Sequence, residues 1–155
     1  MNKETVRQLI VAQLDEARQN QERAAALARD EATHEESRPE SKYDTHSQEA
    51  AYLAEGQARL AAELAAARTA LAALPLPQFD GATPIALGAL VELEQPRGSA
   101  WYFIGPAAGG TSVAVDGREI LVVTPQSPLG RQLMGATVGA YIQMPRGRGL
   151  VLSVC

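Results

Sequence analysis

Cysteine is almost missing from this 155-residue chain. Cys155 is the single one, so no intramolecular disulfide framework can form, and the usage fits a reducing compartment. Positive charge is in deficit: 14 Lys and Arg against 18 Asp and Glu give a net charge of −4. That balance argues against a free-standing nucleic-acid binder, which needs a basic face. Long apolar runs are missing too, and none approaches the roughly 18–20 residues that span a bilayer. The opening residues MNKETVRQLIVAQLDEARQ lack the apolar core and small-residue cleavage site of a secretory signal. The expectation is a soluble, cytoplasmic protein without a membrane partner.

Glycine and proline are absent from almost half the chain. Residues 1–74 contain only Gly56 and Pro39, while the other twelve glycines and eight prolines follow, together with Trp101 and both phenylalanines. Acids outnumber bases 13 to 9 in the first part and balance 5 to 5 in the second. LPLPQFDGATP (74–84) separates them, and no helix or central strand continues through such proline spacing. The expected division is a helical module over 1–75, a linker over 76–84 and a second module over 85–155.

Within the first module, Ala50, Leu53, Leu60, Leu64, Ala67, Leu71 and Leu74 recur at spacings of three and four, interrupted by Gln57. Tyr43 and His46 extend the pattern backwards. This is a coiled-coil signal. An earlier helix answers it with Ile10, Leu14, Ala17, Ala24 and Ala28. Two such helices joined by a turn make an antiparallel hairpin, with arms of roughly 45 Å. A parallel coiled-coil dimer is the competing arrangement, and the polar, proline-containing turn favours the hairpin. That turn, THEESRPESKYD (33–44), packs four carboxylates and two cations into twelve residues.

The second module alternates and turns often. Residues 88–94, 100–106, 118–124, 139–144 and 149–154 read as short strands. Between the third and fourth, Ser127 is placed to cap a short helix with Pro128 in its first position and Gly135 at its end. The fold class is α+β, a helical hairpin followed by a small, mostly antiparallel β domain carrying one short helix.

TPQSPLGRQLMGATVGAYIQM (124–144) resembles the C-terminal signature of the Gre family of bacterial transcript-cleavage factors. LGALVELE resembles the first strand of that family's C-terminal domain, and EAAYLAEGQARLAAELAAA resembles the returning helix of its coiled-coil hairpin. The likeness runs in order along nearly the whole chain. It implies that the β domain is FKBP-like and docks on the rim of the secondary channel of RNA polymerase, with Ser127, Pro128, Leu129 and Arg131 at the contact. The hairpin would then carry its acidic tip to the polymerase active site, where tip carboxylates help hold a second Mg²⁺ over back-tracked RNA. The chain would bring no cofactor of its own and would not be an enzyme alone. Its partners would be RNA polymerase and the RNA of the elongation complex, without strong nucleic-acid binding by itself.

The family's tip reads Asp-Leu-Lys-Glu-Asn-Ala-Glu-Tyr. Alignment back from Glu55-Gly56 sets its first Asp on Ser37 and its first Glu on Glu40. Glu40 is thus the matched catalytic and metal-holding acid, and Glu36 or Glu35 is the candidate to replace the missing one. Mg²⁺ chemistry suits this arrangement, because the ion is commonly held by one or two carboxylates plus phosphates. Plainer readings stand beside these. Ser37 and Glu40 have the spacing of a capping box, and Asp44 can serve a first turn. Arg38 and Lys42 suit surface pairing, and His34 and His46 match no metal-ligand spacing. Trp101 and Tyr102 suit core packing more than an exposed contact, and seven aromatics offer little for a prolyl-isomerase pocket. Three functions follow: a factor that stimulates cleavage of back-tracked RNA, a channel-occupying regulator that does not, and a coiled-coil adaptor unrelated to polymerase. Ser37 at the matched acidic position favours the second, and the C-terminal signature disfavours the third.

Overall fold

The computed structural model describes residues 1–33, 46–96, 98–145 and 147–155. Two long helices, α1 (Lys3–Thr33) and α2 (His46–Ala72), precede six strands and one short helix. By compactness the chain divides into two units. One is Ala12–Arg68, the greater part of the two helices; the other joins Met1–Val11 to Thr69–Cys155.

In the helical unit the two helices run antiparallel. Asp15 of α1 pairs with Arg68 of α2 at 3.2 Å, while Ala25 and Ala26 share a shallow groove with Ala58, Ala61, Ala62 and Ala65. The interior is built of alanine. Ala25, Ala28, Ala50, Ala54 and Ala61 are buried, as is Leu14. The seam therefore differs from the leucine-based expectation at two places. Ala54 and Ala61 face inward where Leu53 and Leu60 were expected, and those leucines are 54% and 43% exposed. The cause is helix separation: facing side chains set the interaxial distance, and small residues allow a closer approach than paired leucines. Expected Ala28 is buried, whereas Ala17 and Ala24 are half-buried. Gln21 Oε1 and Gln57 Oε1 are shut away from solvent and accept no hydrogen bond. An unmade bond of this kind costs about 1–3 kcal/mol.

The other unit holds a six-stranded sheet in the order β3-β4-β2-β1-β6-β5. Its strands are β1 (Leu90–Gln95), β2 (Gly98–Ile104), β3 (Ser112–Val115), β4 (Arg118–Val123), β5 (Tyr141–Met144) and β6 (Gly147–Val154). Every pairing is antiparallel except β2 with β4, where Trp101 stands beside Ile120 and Ile104 beside Val123. Five strands match the alternating runs, and β3 is the addition. It pairs with β4 through Asp116-Gly117, both at positive φ (51° and 74°), the turn type whose twist suits a two-residue hairpin.

Side chains alternate across the sheet. Val91, Leu93, Tyr102, Ile104, Val123, Ile142 and Val151 form one core with Leu133 of the short helix α3 (Pro128–Leu133). On the opposite face Leu90, Phe103, Ile120 and Val122 are buried. There Gly105 leaves room for Leu71: a Cβ on Gly105 would lie 3.3 Å from Leu71 Cδ2 and 3.1 Å from Val122 Cγ1. Val6, Ile10 and Leu74, from the same ends of the helices, are buried as well.

Polar contacts fix the helix ends within this unit. Arg7 Nη1 donates to the Leu74 and Ala72 carbonyls at 2.9 and 3.2 Å, satisfying acceptors that the end of α2 leaves open. The Lys3 ammonium is buried; it donates to the Pro77 carbonyl and lies 4.8 Å above the Phe79 ring. Burial holds Lys3 below the ordinary lysine range, against a smaller upward pull from Cys155. The stretch expected as a linker is anchored. Phe79 packs on the core, and Asp80 Oδ1 accepts from Ala82 N, Thr83 N and Thr83 Oγ1. The Thr83 hydroxyl, then the two amides, hold the Asp80 carboxyl below its usual range.

Candidate functional site

The short helix α3 is positioned by its first residue. Ser127 is extended (φ −67°, ψ 155°), and its hydroxyl accepts from Gly130 N at 3.0 Å while donating to the Thr124 carbonyl at 2.8 Å. Pro128 begins the helix, where its missing N–H costs nothing. Gly130 is then compulsory, since a Cβ there would fall 1.9 Å from Thr124 O. Ser127 thus spends both sides of its hydroxyl inside the chain. Its contribution to a surface is to hold its neighbours in place.

Those neighbours open on a groove of ≈670 Å³. Leu121, Val122 and Val123 line it on the β4 side, Ser127, Pro128, Leu129 and Gln132 on the α3 side, and Gln143, Met144 and Pro145 on the β5 side. Pro128 is exposed at its rim, and Leu129 is half-buried and packs on the core. Arg131 is exposed on the same helix but does not line the groove. The structure thus brings Ser127, Pro128 and Leu129 together, with Arg131 beside them.

Two groove residues escaped the sequence reading. Gln132 Oε1 accepts from Gln143 N at 2.8 Å, and Gln132 Nε2 donates to Gln143 O at 3.0 Å. The side-chain amide thereby occupies the donor and acceptor that edge strand β5 would otherwise offer to an added strand. Sequence carries no signal for this pairing, because the partners lie eleven residues apart with unremarkable neighbours. The groove is suited to apolar contact. Gln132 closes one route, strand addition at Gln143.

The acids expected at the hairpin turn, Glu35, Glu36 and Glu40, lie outside the described residues, as do Ser37, Arg38, Lys42, Asp44 and His34. Among the described residues no group of three His, Cys, Asp or Glu side chains is placed to hold a metal ion. No described helix is long and apolar enough to cross a membrane. Tyr102 is buried as expected, its hydroxyl 2.8 Å from Gln95 Nε2, and Trp101 is half-buried beneath the Arg118 guanidinium at 5.4 Å.

No protein-family model matches the chain, and no curated protein matches it. Solved structures similar to it include the GreA factor homolog 1 (Gfh1) of Thermus thermophilus, 20% identical over 96% of this chain and 94% of that one, with a TM-score of 0.37. Gfh1 of Thermus aquaticus is 22% identical over 94% of this chain and 90% of its own, at 0.35. A third structure, of "the transcription factor Gfh1", is 19% identical over 96% and 92%, at 0.37. Likeness at this level carries no activity across.

Proposed function

We propose that this chain is a Gre-like factor that binds RNA polymerase through the α3 groove and reaches its secondary channel with the hairpin. The observation that carries the reading is the construction of α3. The residues of the Gre-like signature form a rigidly capped helix beside an open apolar groove, with Pro128 and Arg131 exposed. A fixed apolar contact edged by an arginine is the composition of a protein-docking site.

In this reading Glu40, with Glu36 or Glu35, completes a Mg²⁺ site whose other ligands belong to the polymerase. The ion would polarise and orient water for cleavage of back-tracked RNA. The chain supplies carboxylates and position, and it activates the polymerase's own cleavage rather than acting as an enzyme. A second reading, channel occupancy without cleavage, is favoured by Ser37 at the matched acidic position.

The test is RNA cleavage in stalled, back-tracked elongation complexes of the same organism, with polymerase binding measured in parallel. Binding should weaken in Arg131→Ala. Cleavage should be stimulated by the unaltered chain and lost in Glu40→Ala and in the double change Glu35→Ala/Glu36→Ala, with binding kept. Binding with unchanged or slowed cleavage establishes the channel occupant. No binding at all returns the chain to the adaptor class.

A further inference from the structure

The two edges of the sheet are finished differently. At β5 the Gln132 side-chain amide occupies the donor and the acceptor of Gln143. At the opposite edge, among the described residues, β3 pairs with β4 and with no other strand. Val122 N donates to Thr111 O, while Val123 O accepts from Gly105 N on the β2 side. Val122, and with it Ile120 and Arg118 at the same alternation, therefore turns its backbone groups towards β3, where Val113 and Val115 stand opposite the last two. The N–H and C=O of Ser112 and Ala114 point the other way, off the sheet, and Ala114 is exposed. Such edges are ordinarily blunted by lysine, by proline or by an inward-pointing charge. β3 reads Ser-Val-Ala-Val and carries none of these. Its shortness restricts it to a few added hydrogen bonds, and so to an association that depends on concentration.

Open backbone groups accept any strand, so the side chains must select the occupant. An antiparallel copy of β3 with Val113 opposite Val113 sets Ser112 opposite Ala114, Thr111 opposite Val115 and Gly110 opposite Asp116. β-branched residues then meet on one face and small residues on the other, both favourable cross-strand pairs. No charge meets its like, although the whole chain carries a net charge of −4. The register also uses every open group: Ser112 of each copy exchanges both backbone hydrogen bonds with Ala114 of the other. Val113 and Val115, 8% and 7% exposed, are covered further. We propose that β3 is a self-complementary edge on which two copies of this chain pair about a two-fold axis, joining their sheets into one. The proposal does not depend on what occupies the α3 groove.

The test is sedimentation of the full chain over a concentration series, with amide hydrogen exchange measured at both ends of the series. The average mass should climb towards the dimer, and exchange at Ser112 and Ala114 should slow as concentration rises. Ala114→Pro removes an N–H that β4 does not use, and should weaken association about tenfold or more while the chain stays folded. Ala114→Lys supplies the missing edge charge and should do the same without a change of backbone. The register has its own readout. With Cys155→Ser in the background, Val113→Cys should form a covalent dimer under oxidised glutathione, because non-hydrogen-bonded antiparallel partners lie about 4.5 Å apart at Cα. A chain that stays monomeric throughout the series overturns the proposal. So does a dimer that both Ala114 variants leave intact, exchange at Ser112 and Ala114 that ignores concentration, or a Val113→Cys chain that associates without cross-linking.

Discussion

The helical unit and the sheet unit bury their interiors by opposite means. In Ala12–Arg68 the buried side chains are mostly alanines, which gain little apolar area each but let two helices approach closely. In the sheet unit the fully buried side chains are large: Phe103, Leu90, Leu93, Ile104, Ile120 and Leu133, with Ile10 and Leu71 from the helix ends. Stability is therefore concentrated in the sheet unit and the helix ends that belong to it, and the helical unit depends on fit more than on area.

The largest test of this contrast is Phe103→Ala, which empties a fully buried ring position. It should cost about 3–5 kcal/mol, read as a lowered urea midpoint with near-UV dichroism lost from the sheet unit. In the hairpin the vulnerable change is an addition. Ala61→Leu forces the helices apart and should cost about 1–3 kcal/mol, whereas Leu60→Ala, at an exposed position, should stay within about 0.5 kcal/mol. Equal costs at 60 and 61 would return the seam to its leucine register. The smallest effect is one of sign, at Lys3. Its folded-state pKa is lowered by burial, so between that value and 10.5 the unfolded chain holds more protons. Stability should therefore rise with pH through this window, and the burial penalty is present in full below it. Lys3→Met should remove the rise, measured as the difference between the two chains' alkaline stability profiles.

Much of this arrangement is legible in the sequence, for reasons that particular residues make clear. The change in glycine and proline usage at residue 75 separates helix from sheet, because neither residue suits a long helix interior. Ser127, Pro128 and Gly135 read directly as a short helix, since capping is local chemistry. A three-four pattern in an alanine-rich helix supports two neighbouring registers, so the sequence favours Leu53 and Leu60 where Ala54 and Ala61 are the buried pair. Only the distance to the other helix decides between them. Strand β3 leaves little trace in the sequence although Asp116-Gly117 announces its turn, because four residues among glycines carry little alternation. The groove's Gln132–Gln143 clasp depends on tertiary placement alone.

The position of β6 bears on how the chain is made. It lies between β1 and β5, and Leu90 exchanges both backbone hydrogen bonds with Cys155, at 2.8 and 2.9 Å. The helical unit is formed by residues 12–68, so it can assemble from a nascent chain whose last strand has not yet been synthesised. Strand β1 must wait for residues 147–154 before it has a neighbour on its second side. During translation the helical unit can be complete before the sheet unit is.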